Sequence, residues 1–472
     1  MDAAIASPAP LTRLERAGRQ FVWLCLIGGV GVALAVLPTV QAFALLAGLA
    51  ALLLMTLSPL GALSLVLLAI PLEFAVLDIG AVGLTVIQIV MILLAGFMVA
   101  EMLATGHLRV AKTPLDVPIF AWTAVLFLGA VQAVDPAATI KKAGFTVVLA
   151  LLFYLVVDKV RRLKTVTWLM ASLVAACAAV GAYGIWVSYL FIEEGVVTGN
   201  ALVVGSEGLT VPRASSTVGD PTLLGGLMVI SIPIAVALFI RTRGWKRLLS
   251  AAATITLFIA LGFTFTRGAW MGAAAGLAFL AIERRSRAIL IAMVLAVVLL
   301  SPPAVWDRAA SSQNLGRKEI SHRFDYWRGA VFIADRHPLL GSGINNFEYE
   351  YARLPLPETA QRNAIHSHNV ILMLLSETGI LGLLAFGSFI VIVLVLLLRK
   401  ALHDTCSDRR LWRIAIAAAI IGSGVHQMSD TFLLEPTMNA IVWIFAGLAV
   451  VLDAGLIDDG TECETLTQGT RT

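Results

Sequence analysis

Long apolar runs separated by short polar connections alternate along almost the whole chain. Fourteen of them approach or exceed the length of about 20 residues that a helix needs to cross about 30 Å of hydrocarbon. They are residues 21–37, 41–57, 60–77, 82–103, 116–134, 142–158, 166–192, 222–240, 248–266, 268–283, 287–301, 370–398, 411–431 and 437–455. Because a backbone inside lipid must satisfy its own hydrogen bonds, the pattern predicts an all-α, polytopic helical membrane protein with 12–14 transmembrane helices. The short runs at 60–77 and 268–301 fit re-entrant or tilted segments equally well. The first run follows Arg13, Arg16 and Arg19 but lacks a small-residue cleavage site, so it reads as a retained helix.

Two polar stretches interrupt this rhythm, 193–221 and 302–367. In the second, Ile320, Phe324, Trp327, Val331 and Ala334 recur at helical spacing, with Arg317, Lys318, Asp325 and Arg328 off that stripe. The spacing predicts an amphipathic helix that lies on the membrane surface or caps the bundle. A turn-rich connector follows, His337-Pro-Leu-Leu-Gly-Ser-Gly-Ile-Asn-Asn-Phe347. No internal repeat of fixed period is present.

Composition agrees with the pattern. Of 472 residues, 59% are hydrophobic and 14% charged, and the mean hydropathy is +0.90, too few polar side chains to coat a soluble globule. The net charge of +4 is small, so placement matters more than sum. Lysine and arginine gather in every second connection: Arg109 and Lys112; Lys159, Arg161, Arg162 and Lys164; Arg241, Arg243, Lys246 and Arg247; Arg284, Arg285 and Arg287; Arg399, Lys400, Arg409, Arg410 and Arg413. The opposite connections hold little beyond Lys141 and Lys142. The bias predicts both termini in the cytoplasm, with 1–20 as an inner arm and 456–472 as an inner tail. The outer segments 193–221 and 302–367 then separate three membrane-embedded blocks, 21–192, 222–301 and 368–455. With eight basic and seven acidic residues, 302–367 is mixed in sign and is no polyanion-binding tail, so no nucleic-acid partner is expected. The four cysteines show no disulfide or zinc spacing. No Asp-x-Asp occurs and no outer acid or histidine cluster has ligand spacing, so neither a metal nor a cofactor is expected.

The candidate chemistry lies where the long outer loop runs into an apolar helix, in His366-Ser-His-Asn-Val-Ile-Leu-Met-Leu-Leu-Ser-Glu-Thr-Gly-Ile-Leu-Gly382. In a helical start His366 and His368 would point about 200° apart, so they are not read as a side-by-side pair. Neutral imidazole suits proton abstraction near pH 7, which makes His368 the candidate general base; capping the helix is the alternative for either histidine. Glu377 lies about 180° round from His368 and should pair with a neighbouring span instead. Gly379 and Gly382 permit close approach of another segment. Arg267 lies twenty residues past Arg247, roughly 30 Å of helix, which carries it to the outer interface. It is either a snorkelling arginine or a bidentate phosphate ligand. Arg213, in the outer stretch before Pro221, is either solvated or a second positive group on the same anion, and Arg323, on the amphipathic segment, is a further substrate-binding candidate. His426, Asp430 and Glu435 cluster at the outer end of 411–431, where a structural ion pair is the default and a substrate contact the alternative.

These residues resemble the O-antigen ligase and Wzy-type polymerase superfamily of bacterial envelope glycosyltransferases. Its ligase signature runs from histidine and a following polar residue, across nine residues, to glycine, two residues and a small or hydroxyl residue. It is met by His368, Asn369, Gly379 and Gly382. Its arginine, usually followed after three residues by leucine, is matched by Arg267, with Met271 in the leucine position. Arg213 and the Pro338-Leu-Leu-Gly-Ser-Gly343 turn are similar as well, and the likeness covers about 205–455. The resemblance implies a GT-C-like enzyme of the bacterial inner membrane. On the periplasmic side, such an enzyme takes a glycan from undecaprenyl diphosphate and passes it to an acceptor hydroxyl with inversion, without metal or nucleotide sugar. It implies His368 as base and Arg267 and Arg213 on the leaving diphosphate; His366, Asn369, Arg323 and Glu377 are the further substrate-binding candidates. The ligase-type motif favours lipid A core as acceptor; a growing polysaccharide or a protein hydroxyl are the alternatives. From other classes, a transporter should show broken helices at the bilayer midplane and an internal repeat, and a scaffold would keep the charged residues as anchors only.

Overall fold

The computed structural model describes residues 59–72, 76–79, 82–105, 112–194, 201–204, 209–284, 316–355, 364–401, 403–432 and 435–457, all within the unit Ser58–Thr472. The spans at 21–37, 41–57 and 287–301, and both terminal arms, lie outside them. The chain is a bundle of α-helices. They are α1 (Pro59–Leu68), α2 (Val86–Thr105), α3 (Asp116–Gly129), α4 (Pro136–Lys159), α5 (Leu163–Glu194), α6 (Pro221–Arg241), α7 (Trp245–Phe263), α8 (Arg267–Arg284), α9 (Gly316–Arg336), the six-residue α10 (Phe347–Ala352), α11 (Val370–Leu398), α12 (Ser407–Gln427) and α13 (Pro436–Asp453). Among the described residues six are long and apolar enough to cross a membrane: α4, the first 28 residues of α5, α6, α7, α11 and α13. This is a polytopic helical membrane protein.

Strands are the exception to the helical expectation. Val76–Ile79 pairs antiparallel with Val82–Thr85 (β1, β2), and Ala201–Val204 with Leu209–Pro212 (β3, β4). The first hairpin falls across the junction of the predicted spans 60–77 and 82–103, where Pro71 lacks the N–H that a continuing helix requires. Cys406 carries a disulfide bond that the cysteine spacing gives no reason to expect, whereas Cys177 is free and buried.

Helix polarity gives the bundle two chemically distinct ends. At one end α4, α6, α8, α11 and α13 begin and α12 finishes; Asp135, Asp220 and Asn369 cap three of those starts with side-chain oxygens. At the other end, α6 finishes at Arg241, α11 reaches Arg399, α13 stops at Asp453 and α12 starts. The helices at the centre are α6, α8 and α12, and α8 meets α12 through a ladder of small residues. A Cβ on Gly272 would meet the Gly422 carbonyl at 2.6 Å, one on Gly276 the Ala418 carbonyl at 2.7 Å, and one on Gly268 would overlap Ser429 Oγ. Spacing of four puts these glycines on one face, so the two backbones touch.

The connector 337–346 is spliced into α11. That helix breaks at Gly379 (φ 64°, ψ −170°), and the groups the break leaves unpaired are met by the connector. Ile380 N donates to Pro338 O (2.9 Å), Leu381 N to Leu339 O (3.2 Å), and Ser342 N to Ser376 O (2.9 Å). Gly341 and Gly379 allow this, because a Cβ on either would collide with the opposing backbone. Glu377, buried next to the break, accepts from Asn346 N and Phe347 N at 2.9 Å each. The expected pairing with a neighbouring span is thus replaced by capping of α10. Asn346 in turn accepts from Asp135 N (2.6 Å) and donates to Thr139 Oγ1 (2.8 Å), tying the connector to the start of α4.

The amphipathic helix α9 forms, with its buried face turned away from most of the expected stripe, of which Ala334 is buried. Tyr326, Ala330 and Ile333 pack with Phe347, Tyr351, Leu354, Ala364 and Met373, while Phe324 and Val331 of the predicted stripe are exposed. Small residues decide the face: Gly329 admits the Tyr351 ring, which any side chain there would exclude.

Candidate active site

A tight turn at 428–430, directly after α12, is the point on which the site is assembled. The α8 ladder presses Gly268 against Ser429. Arg323 Nη1 donates to Ser429 O (2.7 Å), and Asn369 Nδ2 donates to Met428 O (3.1 Å) while its Oδ1 caps α11 by accepting from Ile371 N and Leu372 N. Asp430 then faces both histidines, with Oδ1 3.2 Å from His368 Nδ1 and 3.9 Å from His366 Nε2. Segments far apart in sequence therefore meet at one turn: Arg323 and Asn369 each spend a donor on one of its carbonyls, and Gly268 packs against it.

His366 and His368 are a pair after all, with ring centroids 4.2 Å apart, edge to face. The 200° argument fails because neither residue is helical: α11 starts at Val370, and His368 has φ +52°, which folds the two side chains to one side. Tyr326 stacks on His368 at 5.5 Å and 24°. It is one turn from Arg323, so a single face of α9 delivers both. Non-glycine residues with left-handed backbones, Ser216, Phe265, Asn345 and His368, all fall at this end of the bundle among the described residues. Such conformations cost about 1–3 kcal/mol each and persist where the surroundings enforce them, as at functional sites.

Arg213 is fixed to the turn that leads into Arg267. Its Nε donates to Thr264 O and its Nη2 to Thr266 Oγ1, both at 2.9 Å, and Ala214 N donates to Phe263 O. Arg267 is the half-buried first residue of α8, next to the Gly268 that rests on Ser429. The two arginines thus share one turn, and that turn abuts the one carrying Asp430. Glu377 is not brought to this place; it belongs to the spliced connector. His426 is fully buried among Gly268, Gly272 and Phe432, inside the bundle and not in the site.

The histidines open on a cavity of about 290 Å³, whose wall includes His366, His368, Asp430, Asp220, Thr222 and Glu435. Neither Arg213 nor Arg267 is part of that wall. Burial alone would push the Asp430 carboxyl up, but the contact with His368 and the charges of both histidines more than offset it, leaving it below the usual carboxylate range. Asp430 lies beyond the last residue of α12, outside the membrane-spanning helices, and stays ionised. Burial, then His368, pulls His366 below its ordinary value, so it is neutral near pH 7. The expectation that no acid and histidine cluster forms is corrected. His366, His368 and Asp430 each place a ligand atom within 4.8 Å of the others, a set that suits a divalent ion in chemistry and spacing. Sequence reasoning missed Asp430 as a partner of His368, and Tyr326 and Asp220 altogether. The one available signal was the grouping of Asp430 with His426 and Glu435.

Fold and site together define a polytopic membrane protein with a histidine–aspartate pair and several guanidinium groups gathered at one end of its bundle. Residues 252–387 match the family model Wzy_C, O-antigen ligase, so this stretch is similar to the O-antigen ligase and Wzy superfamily and supports a ligase- or polymerase-like glycosyltransferase. The match holds Arg267, Arg323, His366, His368, Asn369 and Glu377, and leaves Arg213 and Asp430 outside. No curated protein matches the chain.

Proposed function

We propose that the protein transfers a glycan from undecaprenyl diphosphate to an acceptor hydroxyl at the periplasmic face of the bacterial inner membrane, with lipid A core as the acceptor. The observation that carries this reading is the His368–Asp430 contact at 3.2 Å on a cavity wall. Asp430, held ionised, takes the Nδ1 side of the ring and leaves Nε2 as the basic end, the arrangement that orients an imidazole for proton abstraction. Nε2 takes the proton of the acceptor hydroxyl as its oxygen attacks the anomeric carbon. The bond from that carbon to the diphosphate oxygen breaks, and its electron pair leaves with the lipid diphosphate. In-line attack inverts the anomeric centre. Asp430 stabilises the imidazolium that forms. Arg213 and Arg267, joined through the 264–266 turn, hold the diphosphate and favour the state in which it gains charge. Arg323, His366 and Asn369 keep the 428–430 turn and the substrate in register, and Glu377 acts indirectly through the connector. The protein supplies these groups without a metal.

The test is transfer by purified full-length protein in vesicles, given undecaprenyl-diphosphate glycan and either lipid A core or a second lipid-linked glycan. Transfer to lipid A core that is lost in His368→Ala and Arg267→Ala at unchanged folding is expected. Full activity in His368→Ala would remove the base, and product only with the lipid-linked acceptor would make the protein a polymerase.

A further inference from the structure

A second, larger chamber of about 500 Å³ adjoins the histidine cavity, and Val218, Leu223 and Glu435 belong to both walls. The two differ in charge balance. The histidine cavity adds Asp220 and Asp430 to the shared Glu435, whereas the second chamber sets Lys141 and Lys142 from α4, with Gln88, Thr85 and Asn345, against that one carboxylate. Two of its walls are tied together. Asp135 caps α4 by accepting from Ala138 N (3.0 Å), and Asn346 ties the connector to the same helix start. Gln88 accepts from Thr85 N through Oε1 (2.9 Å), which leaves its NH2 as the end able to donate into the chamber. Together the two volumes are of the size that encloses a ligand, roughly 300–1,000 Å³.

We propose that the lysine chamber is an anion subsite for the acceptor: it takes a phosphate or carboxylate carried by the acceptor glycan, next to the sugar whose hydroxyl faces His368. The inference rests on the transferase reading. The molecule that presents its hydroxyl to the imidazole extends across the shared wall, and there it meets two ammonium groups and amide donors, the chemistry that recognises an anion. The donor diphosphate is a poor occupant, since its guanidinium ligands line neither chamber. On the histidine side, carboxylates accept hydrogen bonds from sugar hydroxyls and repel an anion, so the acceptor is oriented with its neutral sugar at the base and its charge at the lysines.

The test uses binding, which does not depend on catalysis. Full-length protein in phosphatidylcholine nanodiscs is titrated calorimetrically with a soluble trisaccharide bearing one phosphate monoester, and with the same trisaccharide after phosphatase treatment. A preference of about tenfold for the phosphorylated form is expected, the scale of one charge-assisted contact. It should vanish in the Lys141→Gln/Lys142→Gln double variant, return in Lys141→Arg/Lys142→Arg, and survive in Arg267→Gln. No preference in the unaltered protein, or one that persists in the glutamine variant or disappears in Arg267→Gln, overturns the subsite. A third arm uses phosphatidylglycerol nanodiscs: if that lipid abolishes the preference, the lysines serve a lipid headgroup and the proposal fails. Lysine-dependent binding by a protein that transfers nothing would refute the transferase reading alone, and transfer with lysine-independent binding would refute the subsite alone.

Discussion

The two ends of the bundle are built from the same helices but spend their charges differently. Where α11 and α13 finish and α12 starts, the charges are closed on one another. Arg413, 2% exposed, donates to Asp404 (3.1 Å), to Leu396 O (3.0 Å) and to Leu452 O; Arg409 also holds Asp404, Arg399 and Lys400 share Asp453, and Arg241 pairs with Asp408 at 2.7 Å. At the histidine end, Arg213 and Arg323 donate to backbone carbonyls and a threonine hydroxyl, and three carboxylates line a cavity. Mutual ion pairs hold a structure together and leave nothing to offer a ligand. At the histidine end the guanidiniums are instead anchored to backbone turns, beside a histidine and carboxylates that line a cavity.

The comparison breaks if the wrong end proves catalytic. His368→Ala should cost about 10²–10⁴-fold in turnover, the usual share of a general base, with the thermal midpoint unchanged, and Asp430→Asn should follow it with a smaller loss. Arg413→Ala should do the reverse: unfolding stability in detergent falls by about 1–3 kcal/mol because the buried carbonyls of Leu396 and Leu452 lose their donor while Asp404 keeps Arg409, and transfer per folded molecule is kept. A stable but inactive Arg413→Ala would end the distinction. Gly272→Leu tests how the α8–α12 ladder joins the two ends, since it drives a side chain into the Gly422 carbonyl. It should cost about 1–3 kcal/mol and lower transfer as Gly268 is lifted from Ser429. Zinc added to the assay should inhibit by occupying His366, His368 and Asp430, and a chelator should restore the rate without raising it above that of untreated protein; a rate that needs added metal would reverse this part of the mechanism.

The smallest effect concerns pH. His366 is held below its unfolded value, so as pH falls below about 6.5 the unfolded chain takes up this proton first and stability declines. Thermal midpoints measured from pH 8 to pH 5 should fall less steeply in His366→Gln than in the unaltered protein.

Much of this architecture is legible along the chain. Apolar runs bounded by Asp220-Pro221 and Glu435-Pro436, or by Asn369, became helices that start there, since those residues satisfy or forgo the first amide groups. The placement of Arg267 at a helix end follows from counting helical rise. Three features were not legible, each because it depends on contacts between distant segments. The His366–His368 pairing needs a left-handed backbone at His368, which nothing local requires. The buried face of α9 is set by a glycine that receives Tyr351, so the apolar spacing that picked out Phe324 and Val331 missed the face that packs. Asp430 meets His368 across a turn after α12 that Gly268, Arg323 and Asn369 hold from other segments.

The splice at Gly379 has a consequence for anyone who would re-engineer this protein. Residues 337–346 complete the hydrogen bonding of α11 as surely as its own next turn would, so loop and helix form one inheritable module. A chimera that exchanges 337–346 for a relative's segment must carry 376–381 along with it, or the graft will leave open amides inside a membrane-spanning helix.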